Sequence, residues 1–175
     1  MGIIDSDDLK WEKQCTAAVK QANKILAMMK RHFVDRSKET MLALYKSLVR
    51  PHLEYPYLVK DIKLVESVQR RATKMVQGIQ HLNYDDRLNY LGLMRLEKRI
   101  LRSDLNETCK VMKGIYDIER DIFELDDRGR RGHDQKFFKK GFRLDVRKFA
   151  FSNRVVKDWN SLSSQCVNCC TVNIF

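Results

Sequence analysis

Apolar residues recur every three or four positions along the first part of the chain, the spacing of one face of an α-helix. Over residues 11–33 these apolar positions run from Trp11 to Phe33. The other side of this segment carries four cations, Lys13, Lys20, Lys24 and Arg31. At ~100° per residue these cations lie within about 40° of one another, in a stripe roughly 27 Å long. The pattern therefore predicts a first helix with a basic outer face.

The same spacing predicts two further helices. The second should begin near Ser37, an N-cap candidate, and should stop or kink at Arg50, because Pro51 disfavours helical geometry in the residue before it. The third fits residues 58–77, with Gly78 as its C-terminal cap. Its outer face carries Lys63, Arg70 and Lys74 with Lys60 beside them, in the 7-then-4 spacing of Lys13, Lys20 and Lys24.

The pattern becomes less regular after residue 116. Before that point it predicts a short helix over 84–91 closed by Gly92, and a longer one over 94–113 closed by Gly114. Beyond it, aromatic residues alternate with arginine and lysine, which predicts short strands over 135–151 and a β-hairpin around Lys140-Gly141. Ser152 should then cap a short helix over 153–161.

These elements predict a mainly α fold. Residues 1–116 form a helical bundle, residues 117–132 a linker, and residues 133–175 a small basic β-hairpin and short helix that looks cut short at its C-terminus. Hydrophobic residues make up 43% of the 175 positions, which excludes a disordered chain. The seven glycines and two prolines also favour helices over a turn-rich β architecture.

The charge is basic and unevenly distributed. The chain carries 34 basic and 23 acidic side chains, a net charge of +11. Residues 128–175 hold 11 basic and 3 acidic side chains, whereas residues 61–127 hold 12 basic and 13 acidic ones. A near-neutral middle flanked by basic ends indicates contact with a polyanion, and nucleic acid is the commonest such partner.

Cysteine content and apolar runs indicate the compartment. The five cysteines are an odd number, and the acidic stretch "MGIIDSDDLK" has no apolar region of a signal peptide. We therefore expect reduced thiols in a cytoplasmic or nuclear protein that is not secreted. No apolar run approaches the ~20 residues that cross a bilayer, so we expect no membrane partner.

Seven segments carry a resemblance to a known family: "LKWEKQC", "AVKQANKILAMMKRHF", "RSKETMLALYKSLVRPHLEY", "VQRRATKMV", "YDDRLNYLGLMRLEKR", "RGH" and "FSNRVVKDWNSL". Together they resemble the region downstream of the polymerase palm in non-LTR, LINE-type retrotransposon reverse transcriptases of the jockey-like kind. The resemblance covers nearly the whole chain. It implies a helical thumb followed by a basic C-terminal extension, which grip the template–primer duplex.

The resemblance also implies what this chain lacks. The fingers, the palm and the palm's metal-binding aspartates are absent, so we expect a fragment without polymerase activity of its own and without a cofactor. A polymerase palm supplied in trans is then a second candidate partner beside RNA or DNA. Tyr55 runs directly into Pro56, where the family has an aromatic segment, and this apparent deletion predicts loose packing between the second and third helices.

Two sets of residues resemble catalytic or metal-binding motifs. Tyr84, Asp85 and Asp86 are similar in composition to the paired aspartates with which a polymerase holds two metal ions. We favour a helix start instead, because Asn83 can cap a helix whose first turn is stabilised by acidic side chains. The three cysteines near the C-terminus, Cys166, Cys169 and Cys170, are interpreted as free thiols, because a structural zinc site needs four ligands.

The predicted nucleic-acid contacts are therefore the cations of the two stripes and of the basic extension. They are Lys13, Lys20, Lys24, Arg31, Lys60, Lys63, Arg70, Lys74, Lys136, Lys139, Lys140, Arg143, Arg147 and Lys148. Among the interleaved aromatics we expect Phe149 and Phe151 to pack inside a hairpin. For Phe137, Phe138 and Phe142, stacking on single-stranded bases and packing in a hairpin remain alternatives.

Two other functions are compatible with the same sequence. In the first, the chain self-associates or binds another helical protein through apolar faces that the deletion exposes; in the second, it is a non-functional relic of a mobile element. The preference between RNA and DNA and the oligomeric state do not follow from the sequence.

Overall fold

A computed structural model describes five parts of the chain: residues 11–54, 62–116, 123–128, 132–139 and 151–168. Within them the structure is mainly helical, which confirms the mainly α part of the predicted fold class. The chain divides into two compact units, Met1–Ile100 and Leu101–Phe175. The sequence placed the end of the bundle at residue 116, whereas this division falls inside a helix.

The first unit is a set of helices around one apolar core. In chain order they are α1 (Trp11–His32), α2 (Lys38–Leu44), a π-helical segment (Tyr45–Val49), α3 (Arg50–Glu54), α4 (Ile62–Lys74), α5 (Tyr84–Leu91) and the start of α6 (Leu96–Met112). The core combines buried side chains of all seven of these elements, among them Ala22, Val49, Leu53 and Val68. None of the helices in the described ranges is long and apolar enough to cross a bilayer.

The helix continues through Pro51, so of the two predicted alternatives at Arg50, a stop or a kink, the stop is wrong. Helices α2 and α3 are joined without a break by the π segment, in which the Arg50 N–H donates to the Tyr45 carbonyl five residues earlier. This wider turn lies directly before the proline, whose missing N–H allows the hydrogen-bond register to change at that point. The predicted start is confirmed, since the Ser37 side chain accepts from the Thr40 N–H.

Of the C-terminal ends of α4 and α5, only that of α5 matches the glycine cap predicted from the sequence. α4 ends at Lys74, and the Gln77 N–H donates to the Arg36 carbonyl at 2.9 Å. The helical hydrogen-bond ladder therefore stops before Gly78 (φ 87°), which lies in the following turn instead of capping the helix. By contrast, Gly92 (φ 62°) closes α5 in the left-handed conformation, as predicted.

Helices on both sides of the apparent deletion share the core. Residues 55–61, which contain the deletion and Lys60, lie outside the described residues. Leu53 of α3 and Val65 of α4 are both buried in the same cluster. Tyr45 also donates a hydrogen bond of 2.5 Å to the Gln69 side chain of α4. The described parts of the second and third predicted helices are therefore packed together, where the deletion predicted loose packing.

A buried amide joins several elements of the first unit. The Gln69 side chain is 1% exposed. Its oxygen accepts from the Tyr45 hydroxyl, and its nitrogen donates to the Tyr84 hydroxyl and to the Met94 carbonyl, both at 3.0 Å. Because buried polar groups are costly without partners, these bonds fix the π segment, α4, α5 and the loop before α6 in one arrangement.

Glu66 extends this network to the start of α6. One carboxylate oxygen of Glu66 accepts from the Tyr84 hydroxyl, and the other accepts from the Leu96 N–H at 2.9 Å. The second bond satisfies a backbone donor of the first turn of α6. Burial raises the pKa of the Tyr84 phenol, and its bond to Glu66 adds to that shift. Burial is also the main cause of the raised pKa of Tyr45.

The second unit is organised around an aromatic stack. The ring of Phe137 lies between those of Phe123 and Trp159, at centroid distances of 4.3 and 5.4 Å and nearly parallel to both. Three short helices belong to this unit: α7 (Phe151–Arg154), α8 (Val156–Asn160) and α9 (Ser164–Val167). The predicted cap at Ser152 is wrong, because Ser152 lies inside α7.

The predicted β-hairpin is not supported. In the described part of the second unit, the pairing is a single antiparallel bridge between Leu125 and Phe137, and no strand is formed. The Phe138 N–H donates to the Glu124 carbonyl at 2.7 Å on one side of this bridge. Residues 140–150, which include the predicted turn at Lys140-Gly141, lie outside the described residues. The prediction followed the alternation of aromatic and basic residues, but Phe137 is part of a single bridge and not of a strand, and its ring is buried by stacking.

Side chains of the "FSNRVVKDWNSL" segment hold the second unit together. Arg154 forms two hydrogen bonds to the Asp104 carboxylate, at 2.7 and 2.8 Å, and both side chains are about nine-tenths buried. Asn160 accepts from the Phe137 N–H and donates to the Phe137 carbonyl, both at 2.9 Å. These residues of the segment therefore have packing roles.

Candidate nucleic-acid interface

The outer face of α1 carries the predicted basic stripe. Lys20, Lys24 and Arg31 are all exposed, on the side opposite buried residues such as Ala22 and Met29. Lys13 lies within the same helix, but its side chain is outside the described part. Arg31 lies seven positions after Lys24, so these cations follow the helix axis over more than one turn.

The stripe on α4 has a more mixed environment. Lys63, Arg70 and Lys74 are exposed, as predicted. The Arg70 guanidinium lies 4.6 Å from the centre of the Tyr84 ring, a cation–π arrangement that gives it a structural role. Lys63 and Arg70 also line a cleft of about 590 Å³ together with two acidic residues, Glu66 among them. Arg95 also lines the cleft, so these carboxylates offset two of its three described positive charges and make it less suited to a phosphate than a lining without carboxylates.

A second groove lies between α1 and α4, and the charged residues in its described lining are all basic; we call it the α1–α4 groove. It has a volume of about 510 Å³. Four cations line it: Lys30 of α1, Arg36 of the loop that follows α1, and Arg71 and Lys74 of α4. Among the described residues that line the groove, none is acidic. Of its four cations, only Lys74 was predicted from the sequence.

Hydrogen bonds position the two arginines of the α1–α4 groove. Arg71 donates through Nη1 to Asn23 Oδ1 at 2.7 Å and through Nη2 to Ser67 Oγ at 3.1 Å. Arg36 donates through Nη2 to the Lys30 carbonyl at 3.3 Å. A guanidinium has five N–H donors, so both arginines keep donors for a ligand.

The missed cations carried a weaker sequence signal. Lys30 and Arg71 lie in the last turns of α1 and α4, where basic residues are ordinarily explained by the helix dipole. Arg36 is in a loop and belongs to no periodic pattern. Only the packing of α1 against α4 brings these residues together, and the spacing within one helix does not report that packing.

The basic extension is described in part. Lys139 is exposed, whereas Lys136 is half-buried, and a Cβ atom built on Gly132 would lie 2.9 Å from Lys136 Nζ. The remaining predicted contacts of this region, Lys140, Arg143, Arg147 and Lys148, lie outside the described residues, as do Phe142 and Phe149. The described half therefore offers one exposed predicted cation.

The aromatic residues of the extension serve packing where they are described. Phe137 is 1% exposed and stacked on both faces, so its ring has no free face for a base. Phe138 is half-buried beneath the Arg128 guanidinium, 4.7 Å from its ring centre. Phe151 packs edge-on against Phe123 at 5.8 Å. The packing interpretation holds for Phe137, and base stacking by this residue is wrong.

The paired aspartates begin a helix, as predicted. Asn83 Oδ1 accepts from the Asp86 N–H at 3.0 Å, and Asp85 and Asp86 form the first turn of α5. The Asp85 carboxylate is engaged by the Arg95 guanidinium at 2.7 and 2.8 Å. Across the described ranges, no group of three histidine, cysteine or acidic side chains is placed to hold a metal ion. Cys166 is a half-buried free thiol, and Cys169 and Cys170 lie outside those ranges.

Comparison of this chain with protein-family models, with curated proteins and with solved structures found no match.

Proposed function

We propose that this chain binds the sugar–phosphate backbone of RNA or DNA without sequence preference, as the thumb-like part of a retrotransposon reverse transcriptase. The observation that carries the proposal is the basic surface of the first unit. It combines the exposed stripe of α1 with the α1–α4 groove, whose described lining holds four cations and no carboxylate. The family assignment rests on the seven sequence segments.

This surface has the chemistry of backbone contact. Lysine and arginine side chains along a helix can meet successive phosphates, and phosphates carry no base identity. Among the described residues that line the α1–α4 groove, none has an aromatic ring on which a base could stack. The proposed contacts therefore predict affinity that depends on salt and is nearly independent of sequence.

The proposed role is binding without catalysis. Asp85 and Asp86, the pair that resembles a polymerase motif, have structural partners in Arg95 and Asn83. On this proposal a palm supplied in trans would carry out the chemistry, and this chain would hold the template–primer duplex.

The test is a salt titration of duplex binding with matched charge variants. The α1 variant changes Lys20 and Lys24 to glutamine, and a control changes the exposed Lys46 and Lys98 in the same way. Each lost duplex contact reduces the slope of log affinity against log salt by about 0.9, so the α1 variant should lose roughly 1.8. The control should keep the slope of the unsubstituted protein.

A third variant examines the basic extension, with Lys139 and Lys140 changed to glutamine. If this variant loses slope while the α1 variant keeps it, the extension is the binding element and the thumb-like assignment of the first unit is wrong. Equal slopes for all variants, including the control, would remove both surfaces from the proposal.

A further inference from the structure

We infer that the α1–α4 groove is a separate subsite that holds the phosphates of a single nucleic-acid strand, while the outer α1 stripe meets duplex. This inference rests on the proposed function and assigns a different part of the nucleic acid to each basic surface. None of the groove's lysines and arginines other than Lys74 belongs to the stripes that the sequence predicts.

The shape of the groove separates it from the α1 stripe. Lys20 and Lys24 project from an exposed helix face, which a wide ligand can approach. The groove is concave, and its volume of about 510 Å³ is that of a pocket for a small ligand. A nucleotide-sized segment of one strand fits such a space, whereas a double helix is too wide to enter it.

The charge of the groove favours an anion. Two helix C-termini, those of α1 and α4, each contribute about half a negative charge through their dipoles. Lys30, Arg36, Arg71 and Lys74 contribute four positive charges. About three positive charges therefore remain uncompensated within a concave surface. An anionic ligand that carries consecutive phosphates would relieve this repulsion.

The arrangement of the arginines fits phosphate in particular. A guanidinium presents paired N–H donors that match two oxygens of one phosphate. Arg71 is held by Asn23 and Ser67, and Arg36 by the Lys30 carbonyl. Side chains that are ordered before binding lose less conformational freedom when a ligand arrives. The apolar atoms of Leu26 and Met75, which also line the groove, can contact the sugar.

The helix dipole alone is the alternative explanation of these cations. Lys30 and Lys74 lie in or next to last turns, where a positive charge stabilises the helix. On that explanation, replacing Lys30 and Lys74 by glutamine lowers the melting temperature and leaves strand binding unchanged. On ours, the same change relieves repulsion and weakens strand binding. The two readouts therefore separate the explanations.

The experiment measures binding of the full chain to three probes across a range of salt concentrations. The probes are an oligothymidylate of about 12 nucleotides, within the range of known single-strand sites, an abasic strand of equal length, and a duplex. The variants are Lys30→Gln with Lys74→Gln for the groove, and Lys46→Gln with Lys98→Gln as the control. All four lysines are exposed, so both variants should fold.

We expect the groove variant to lose about 1.4 from the salt slope on both single strands, since each single-strand contact contributes about 0.7. Its slope on duplex should change less than that of the Lys20→Gln, Lys24→Gln variant. The control should match the unsubstituted protein on every probe.

Several outcomes would overturn the inference, each in a different way. If the groove variant keeps the single-strand slope while the unsubstituted protein binds all probes, the subsite is wrong and the proposed function stands. Equal losses on duplex and single strand refute the separation of surfaces. If the groove variant loses salt slope on the oligothymidylate but not on the abasic strand, the groove contacts bases and not phosphates. If the unsubstituted protein binds no probe, the proposed function itself fails.

Discussion

Arg71 of α4 donates a hydrogen bond of 2.7 Å to the Asn23 side chain of α1, and this bond orients a groove cation across two helices. Replacing Asn23 by alanine removes the bond and no charge. Ordering a free side chain costs about 0.5–1.5 kcal/mol, so we expect single-strand affinity to fall roughly twofold to tenfold with an unchanged salt slope. A changed slope would mean that Asn23→Ala alters the number of phosphate contacts.

Substitutions of Tyr45 and Gln69 should have coupled effects on the free energy of unfolding, because the two side chains share a buried hydrogen bond. Gln69→Leu leaves the buried Tyr45 hydroxyl without its acceptor, at a cost of about 1–3 kcal/mol. In a Tyr45→Phe background that cost should be smaller by on the order of 1 kcal/mol, which denaturant unfolding of the double-mutant cycle measures. The control is Gln77→Leu at an exposed site, which should stay within about 0.5 kcal/mol. If the effects of Gln69→Leu and Tyr45→Phe on the free energy of unfolding were additive, the buried hydrogen-bond network would be contradicted.

The burial of Tyr45 also predicts that the protein loses stability at alkaline pH. Burial raises the pKa of the Tyr45 phenol above its unfolded value of about 10. Because the unfolded chain then releases its proton at a lower pH than the folded one, this stability is present below about pH 10 and is lost as the pH rises above it. Tyr45→Phe should make the fall in unfolding free energy above about pH 10 shallower. Identical curves for both proteins would show that Tyr45 is not buried as described.

The buried ion pair of the second unit predicts an asymmetric response to substitution. Arg154→Met leaves the Asp104 carboxylate nearly buried without its main partner, so we expect a loss of about 3–5 kcal/mol. Changing Asp104 to leucine in the same protein removes that charge and should recover most of the loss. Thermal unfolding of the single and double variants measures both effects. A double variant no more stable than Arg154→Met would contradict this interpretation.

The parts of the fold that depend on local chemistry could be predicted from the sequence. The start of α5 follows from the Asn83 side chain and its end from the conformational freedom of Gly92, and both signals lie within a few residues of their effect. Pro51 signalled a stop or a kink, and the helix does not stop there. Its disruption of the helix is accommodated by a π segment, which a periodic pattern of apolar residues does not distinguish from an α-helix.

The parts that depend on tertiary packing could not be predicted. Arg71 and Lys30 are ordinary helix-terminal cations in the sequence, and they form a site only because α1 packs against α4. Phe137 has the sequence environment of a strand or of a base-stacking residue, but Trp159, 22 positions later, decides its burial. Contacts between residues so far apart in the sequence do not affect the local spacing of apolar and charged residues.

The central claim, backbone binding without sequence preference, is tested most directly with the unsubstituted protein and two duplexes of equal length and unrelated sequence. Affinity is measured over a series of salt concentrations. The three described cations of the α1 stripe alone predict a linear fall of log affinity with log salt, with a slope of at least about 2.7 in magnitude. The same slope and affinities within about tenfold are predicted for both duplexes. A slope near zero, or binding confined to one of the two sequences, would contradict the claim.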